Sequence, residues 1–598
     1  MNIFSGIIGF DRKPISQESL KKAFFSTPYW GPDQQSILCE DSLGFLSTQR
    51  FVTPQCAQFK MPFKHVESGC IIVANAFLTN HTEVCKKLNL SCETSDAALI
   101  LKAYLKWDVD CLLHLQGQFC FFIWNTKNKN GFAATDPLGV YPFLFSYKKN
   151  EQFIFANEVS SIKKLSSSLT LNPNLFAYFS LDFLPEEETA FKEIQRILPG
   201  HYLLVTDQKI IQNIYWDLKN IPKKNHVSRA ECYEAFQEKF TEAVKNSLRT
   251  VYPVTTHLSG GLDSSALTSV AAFLKNDQKI YAVTAIPRAL SGNSYRPNWR
   301  HHEMPLVQKI LERYPHVKHF SYTAKEPYDF FERFNFLRDL IDQPIRNVAN
   351  FDWLIGAAEY ACHRDSRVLL HAQTGNATIS WHGMMLYQNL KNFYVALKNF
   401  LLPTHWFKVF SSCINKSFFY SSAAKKILRE RFVYLDKQYA LIRGLRPSAR
   451  ASSVLAVYFW YGITPVDPTQ DLEIVKFCYS LPQEMFCKGR KILEKRLLVR
   501  EALAKFLPLE ICQNTYRGEQ GADWYLHYNE HHKKWFETIN HFPHTHFLWD
   551  YYDRENVLAI PKRFPAPILS VDSNIFNDIN CHYLRCLSAI HFINSFSS

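Results

Sequence analysis

Residues 258–267 read Leu-Ser-Gly-Gly-Leu-Asp-Ser-Ser-Ala-Leu, and this string limits what the chain around it can build. An apolar run ends at Leu258, two glycines follow, and helix formers begin after Ser265. A strand, a tight turn and a helix start are expected in that order, with Ser and Asp oxygens available as caps. A helix N-terminus leaves N–H groups unpaired at the positive end of its dipole, so such a loop is an anion cradle. Gly260 and Gly261 let the backbone approach a polyphosphate without Cβ clashes. Asp263 sets a carboxylate beside those phosphates, suited to holding Mg²⁺ rather than the phosphate itself. No Gly-Lys-Ser/Thr ending follows, which excludes the P-loop of kinases and GTPases. A second strand is expected at Ile280-Tyr-Ala-Val-Thr-Ala285. Strand, loop, helix and strand open a parallel α/β unit.

Composition narrows the class. The 598 residues suggest roughly three to four average domains or two large ones. No stretch reaches the ~18 uncharged apolar residues of a membrane span; Ser452 to Ile463 is the longest candidate. Asp11, Arg12 and Lys13 break the N-terminal apolar run with no basic segment before it, so no signal peptide is expected. The 15 cysteines are odd in number and scattered without a Cys-x-x-Cys pair, which favours reduced thiols and a cytoplasmic location. His527 and His531 stand four apart, and His541, His544 and His546 cluster. No Glu follows the first and no cysteine lies near, so zinc is not expected there. The net charge of +13 is spread along the chain, apart from one concentration between Lys488 and Arg500. Without an RNA-binding aromatic motif or a basic tail, it suits an anionic nucleotide or an acidic peptide, and no nucleic-acid partner is expected.

Residues 1–216 alternate in the manner of strands. Phe119–Trp124, Phe143–Tyr147, Phe153–Phe155 and Tyr202–Val205 are aromatic or β-branched runs between turn clusters such as Asp136-Pro-Leu-Gly139. Residues 217–227, with Pro222 and three lysines, read as a linker. From Ser228 the period becomes helical, with Tyr233, Phe236, Phe240, Ala243 and Val244 on one face. Asn347 to about Phe506 is expected to be mostly helical. A second domain over 228–530 and an aromatic-rich C-terminal extension over 531–598 complete the expected organisation.

The 258–267 string resembles the loop of enzymes that cleave ATP to AMP and pyrophosphate. Over roughly residues 1–525 the chain resembles the asparagine synthetase family, in which a glutamine amidotransferase half precedes an ATP-dependent amide-forming half. Ser5-Gly-Ile-Ile-Gly9 is similar to that family's opening Cys-Gly-Ile-x-Gly. Arg50, Asn75 and Asp96 stand where the family holds glutamine, and Phe155-Ala-Asn-Glu158 and Ile197-Leu-Pro-Gly-His201 fit its later strands. The resemblance implies an α+β N-terminal half, an Ntn-hydrolase-like β-sandwich with flanking helices. It implies next an α/β synthetase domain like the adenine nucleotide alpha hydrolases.

The departures from the family carry chemical weight. The family nucleophile is an N-terminal cysteine whose own α-amine is the base. Here the matching residue is Ser5, preceded by four others, and Ala76 replaces a motif glycine. The first half is therefore expected to be a degenerate amidotransferase that makes no ammonia, with self-cleavage before Ser5 the one rescue. Relatives without a glutaminase use an amine already on their substrate. Among these, the lasso peptide cyclases join a peptide's N-terminus to an Asp or Glu side chain. Asn347-Val-Ala-Asn-Phe-Asp-Trp353 resembles their Asn-x-x-Asn-x-x-Trp helix start, and Gly375-Asn-Ala-Thr-Ile-Ser-Trp381 their Gly-Asn-x-Thr-x-Ser-Trp loop. Asp467-Pro-Thr-Gln-Asp471 matches a third string, with Val466 where arginine is usual, and Arg517–Trp524 matches a fourth. Each also has a plainer reading: an αL turn at Gly375-Asn376, core tryptophans at Trp353 and Trp381, a helix start at Asp467-Pro468.

The resemblance implies ATP and Mg²⁺ as cofactors, with Leu258, Ser259, Gly260, Gly261, Asp263, Ser264, Ser265, Val283 and Gly375 at the nucleotide. It implies Asp263 and Asn376 at the metal. A precursor peptide is the expected substrate, with a leader-peptide protease and a leader-binding protein as expected partners. The family's base falls at Gln373, which cannot usefully accept a proton, so either Glu303 or a neutral bound amine must serve. The transition-state cation falls at Arg496 or Lys495; Lys491 with Lys495 and Arg496 with Arg500 would lie one helical turn apart, although a solvated helix face is the plainer reading. Asparagine formation, RNA modification by a similar ATP loop and an inactive scaffold are the alternatives.

Overall fold

The computed structural model describes residues 1–24, 31–166, 168–180, 188–225, 227–276, 279–288, 298–323, 328–382, 452–489, 491–519, 521–569, 571 and 573–597. The first half stacks two six-stranded antiparallel sheets. One runs in the order Gln195–Arg196, Leu144–Lys148, Gln152–Ala156, Asn2–Gly9, Leu43–Gln49, Gln34–Glu40. The other runs Ile210–Ile214, His201–Val205, Asn130–Thr135, Gly117–Asn125, Cys70–Leu78, Phe63–His65. The period of two explains the layering. In the strand Gly117–Asn125, Cys120, Phe122 and Trp124 face the core between the sheets, where Phe122 meets Phe155 at 4.3 Å between ring centroids. Phe119, Phe121 and Ile123 point to the opposite face, under the helix Asp96–Trp107.

The second half is built on a parallel sheet in the order Val317–Tyr322, Ile280–Ala285, Val254–His257, Val368–Leu370, Thr464–Val466. Helices Arg229–Ser247, Leu262–Leu274 and Met304–Arg313 cover one face. Phe351–His363 and Ser452–Tyr461 cover the other. Chain order along the sheet reverses between Val254–His257 and Val368–Leu370, and ligands of such sheets bind at the carboxyl ends of strands beside that reversal. The segment expected to be mostly helical thus supplies two strands as well. At three residues each, Val368–Leu370 and Thr464–Val466 are too short to show a period.

The halves are tied by buried charge. Arg196 donates from Nε and Nη2 to Asp342 at 3.0 and 2.6 Å, with both side chains buried. The expected linker is pinned where the Lys224 amide donates to the Ser480 carbonyl at 2.8 Å. A single helix, Trp524–His541, runs across residue 530. Beyond it the aromatic C-terminal segment packs on the first half, Phe547 against Phe176 at 5.5 Å and Phe596 against Phe191 at 5.2 Å. Among the described residues no helix is long and apolar enough to cross a membrane.

Candidate active site

The phosphate loop forms as the sequence suggests: the strand Val254–His257, a turn, then the helix Leu262–Leu274. Gly260 has φ +77, and a Cβ there would lie 2.8 Å from Glu303 Cβ, so only glycine fits. The loop is braced from within. Ser259 N–H donates to Ser264 Oγ at 3.1 Å, and the Ser259 and Ser264 hydroxyls pair at 2.9 Å. Ser265 is fully buried beneath the loop, which turns the expected hydroxyl donor away from solvent. The Leu258 amide donates to the Val283 carbonyl at 2.9 Å, which brings those two expected nucleotide residues together at the head of the cleft.

Asp263 stands in the first turn of the helix. Ser380 Oγ donates to its Oδ2 at 2.9 Å, while Oδ1 is buried and accepts no hydrogen bond from the described residues. Burial raises its pKa, opposed by the nearby Arg496 guanidinium. A Cβ on Gly375 would fall 2.7 Å from Asp263 Cγ, so this glycine is what lets the loop after Val368–Leu370 close on the carboxylate. Asn376 Oδ1 accepts from Arg496 Nη2 at 3.0 Å. Asp263, Gly375, Asn376 and Arg496 are therefore one cluster. The remaining Oδ1 of Asp263 fits a divalent cation shared with phosphate oxygens, whereas the Asn376 oxygen is already engaged.

The basic stretch is not one continuous helical face. Ile492–Glu494 forms a 3₁₀ turn, Leu498–Ala502 a π-helical turn in which the Arg500 amide donates to the Arg496 carbonyl at 3.1 Å, and between them Arg496 sits in the left-handed region at φ +60. That reversal turns Arg496 toward Asn376. The Lys495 ammonium lies within electrostatic range of the Cys487 thiol, and buried Arg500 holds the carbonyls of Lys495 and Asn514 at 3.1 and 2.8 Å. Gln373 is half-buried two residues before Gly375.

A cleft opens from the phosphate loop between distant segments. Its lining includes Leu258, Ser259 and Val283 from the loop side, Glu303, then Asp352 and Trp353, and finally Gly518, Glu519, Asp523 and Trp524. Strings some 170 residues apart thus meet in one wall: a Cβ on Gly521, at φ +53, would lie 2.7 Å from the Ala349 carbonyl oxygen (counted along the sequence from 349 to 521). Burial pushes the Glu303 carboxyl up to about 7, against the pull of a Gly518 N–H, Arg300 and Arg496. Burial, aided by His371, drives His257 at the cleft's head down to about 3, so it is neutral. The Gly375–Trp381 string supplies Gly375, Asn376 and Ser380 to the Asp263 cluster, and its remaining residues and the Asp467–Asp471 string brace it. Asp467 clamps the Gly375 loop, accepting from Thr374 N–H at 2.9 Å, and Trp381 packs on Phe486 at 5.2 Å.

Sequence reasoning did not single out Tyr322 or Tyr328 in this cleft, and it weighed His527 only as half of a metal-spaced pair with His531. Gly356 was the available signal for Tyr322: a helical glycine whose missing Cβ leaves room for that ring, 2.4 Å away. His527 is bound to the Tyr328 backbone, its Nδ1 3.0 Å from the carbonyl oxygen. Among the described residues no group of three His, Cys, Asp or Glu side chains is arranged around a metal position.

The residues matched by resemblance to a glutamine site make contacts within the fold. Ser5 is buried in mid-strand, paired with Leu46 and Ala156. Arg50 Nη1 donates to the Tyr461 carbonyl at 2.9 Å, in the second half. Asp96 pairs with Arg249 at 2.5 Å, also across the junction. Asn75 Oδ1 accepts from the Asn2 amide at 3.1 Å. Cleavage before Ser5 would remove Phe4, a core residue whose N–H donates to Asn157.

Comparison with known proteins agrees with this anatomy. Residues 3–216 match the glutamine amidotransferase domain model, and residues 235–432 match the asparagine synthase model. A candidate glutamine-hydrolysing asparagine synthetase of Methanocaldococcus jannaschii is 29% identical over 372 residues, 58% of this chain and 69% of its own. Asparagine synthetase 3 of Bacillus subtilis is 29% identical over 327 residues. The matched span is 52% of each chain, so the chain spans about half the length of that relative. The glutamine phosphoribosylpyrophosphate amidotransferase of B. subtilis aligns with 55% of this chain and 82% of its own at 11% identity, with a TM-score of 0.28, too slight to argue from. A glutamine amidotransferase domain followed by an asparagine synthase domain makes the chain asparagine synthetase-like, and these homologues mark it as an ATP-dependent carbon–nitrogen ligase.

Proposed function

We propose that the protein is an ATP-dependent amide ligase that closes a peptide into a lasso macrolactam. It activates an Asp or Glu side chain as acyl-AMP and joins it to the peptide's N-terminal amine. The observation that carries this reading is the shared cleft: the 347–353 and 517–524 strings, both similar to cyclase motifs, wall one cavity with the phosphate loop. The tied-up glutamine residues support it, because an enzyme without its own ammonia source needs an amine on its substrate. The names of the curated relatives favour asparagine formation as the second reading.

In the first step a substrate carboxylate oxygen attacks the α-phosphorus of ATP and pyrophosphate leaves. The loop N–H groups with the Ser259 and Ser264 hydroxyls receive the leaving phosphates, and Arg496 sets positive charge beside them. Asp263 would hold Mg²⁺, which when bound neutralises phosphate charge. In the second step the amine attacks the acyl carbon and AMP leaves. Holding both ends of one peptide supplies up to ~7–11 kcal/mol through effective molarity. The test is exchange of labelled pyrophosphate into ATP, dependent on a linear peptide with an internal Asp or Glu. Exchange driven by free aspartate and not by any such peptide would favour the second reading.

A further inference from the structure

We propose that Glu303, with Glu519 beside it, seats the attacking amine, and that Glu303 takes its proton. The inference rests on the cyclase reading of the same cleft. Glu303 precedes the helix Met304–Arg313 and lies between two glycines far apart in sequence. A Cβ on Gly260 would meet Glu303 Cβ at 2.8 Å, and one on Gly518 would meet its Oε2 at 2.5 Å. The chain therefore leaves side chains out on both sides to admit one carboxylate between the phosphate loop and the opposite wall.

Four carboxylates line the cleft, and among its described lining residues none is Lys or Arg. Two of the four are engaged. Asp352 accepts from the Tyr322 hydroxyl at 2.7 Å and lies 3.5 Å from Arg333 Nε; Asp523 accepts from the Arg288 amide at 2.9 Å. Among the described residues Glu519 has His301 alone within ion-pair distance, at 3.9 Å, and Glu303 makes no ion pair. The α-carboxylate of a free amino acid would meet like charge here, whereas an ammonium would meet opposite charge. This separates a peptide N-terminus from free aspartate.

The charged groups facing Glu303 are Arg300 from its own side, Arg496 from the basic segment, Glu519 across the gap, and the neighbouring His301 and His302. Burial outweighs the two arginines and leaves the carboxyl titrating at about 7, near the ~7.7–8 of a peptide α-amine. Gln373, where the family base falls, has no basic lone pair to offer. The step balances as follows: the seated ammonium gives one proton to Glu303, the neutral amine nitrogen bonds to the acyl carbon, the bond from that carbon to the AMP oxygen breaks with its electron pair leaving on AMP, and the second proton from nitrogen leaves with the AMP phosphate.

The test compares the parental protein with Glu303→Gln, Glu303→Asp and Glu519→Gln, using a linear peptide with a free N-terminus. Pyrophosphate exchange reads activation, and loss of one water reads ring closure. In Glu303→Gln, ring closure should fall at least ~100-fold relative to exchange, and the fall of kcat below pH 7 should vanish. Glu303→Asp should keep that limb at reduced rate, and Glu519→Gln should raise KM for the peptide more than it lowers kcat. Parental ring closure and pH profile in Glu303→Gln, or equal loss of exchange and closure, would overturn the proposal while leaving the cyclase reading in place. A parental protein without peptide-dependent exchange would overturn that reading, and this proposal with it.

Discussion

Asp263 shows how a single residue trades stability for chemistry. Its carboxylate is buried, satisfied on one oxygen by Ser380 and left open on the other. The raised pKa means that the fold disfavours its charge, so removing it should not weaken the fold. Asp263→Ala is expected to abolish ATP-dependent product, a loss of at least ~100-fold, with a thermal midpoint equal to or above the parent. The paired assays are AMP release and thermal unfolding; full activity would remove Asp263 from the mechanism. Arg496 makes the complementary point. A non-glycine residue at positive φ is uncommon, and here the reversal aims a guanidinium at Asn376.

Elements that touch only through the fold are where sequence reading stopped. The phosphate loop was legible because strand, glycines and helix start lie within ten adjacent residues. The 347–353, 375–381 and 517–524 strings were legible as motifs, but their meeting depends on strand order, which no local period encodes. For the same reason Asp467 proved a clamp on the Gly375 loop; of the two expected helical-turn pairs, Arg496 and Arg500 do share a turn, while the left-handed Arg496 breaks that turn off from Lys491 and Lys495. Arg50 and Asp96 could be matched to a glutamine site, yet their direction into the second half needed the structure. The Gln195–Arg196 strand carries a testable consequence. Arg196→Met leaves Asp342 buried without its partner, which should cost about 3–5 kcal/mol. Urea unfolding would read this; a change under ~1 kcal/mol would mean that water replaces the pair.

The molecule as a whole joins an amidotransferase-like half to a ligase half through Arg196–Asp342, Arg249–Asp96 and the Arg50–Tyr461 hydrogen bond. Glutamate release from glutamine alone is expected to be undetectable, since Ser5 is held in mid-strand and Arg50 and Asp96 are committed across the junction. Turnover-rate release would show a working glutaminase and return the account to asparagine formation. The most direct test of the account is a single incubation of the protein with ATP, Mg²⁺ and a linear peptide bearing an internal Asp or Glu, followed by mass and nucleotide analysis. The account predicts a product lighter by one water, AMP rather than ADP, and no product when the peptide's N-terminus is acetylated. Product from the acetylated peptide, or efficient conversion of aspartate and ammonia to asparagine in its place, would contradict it.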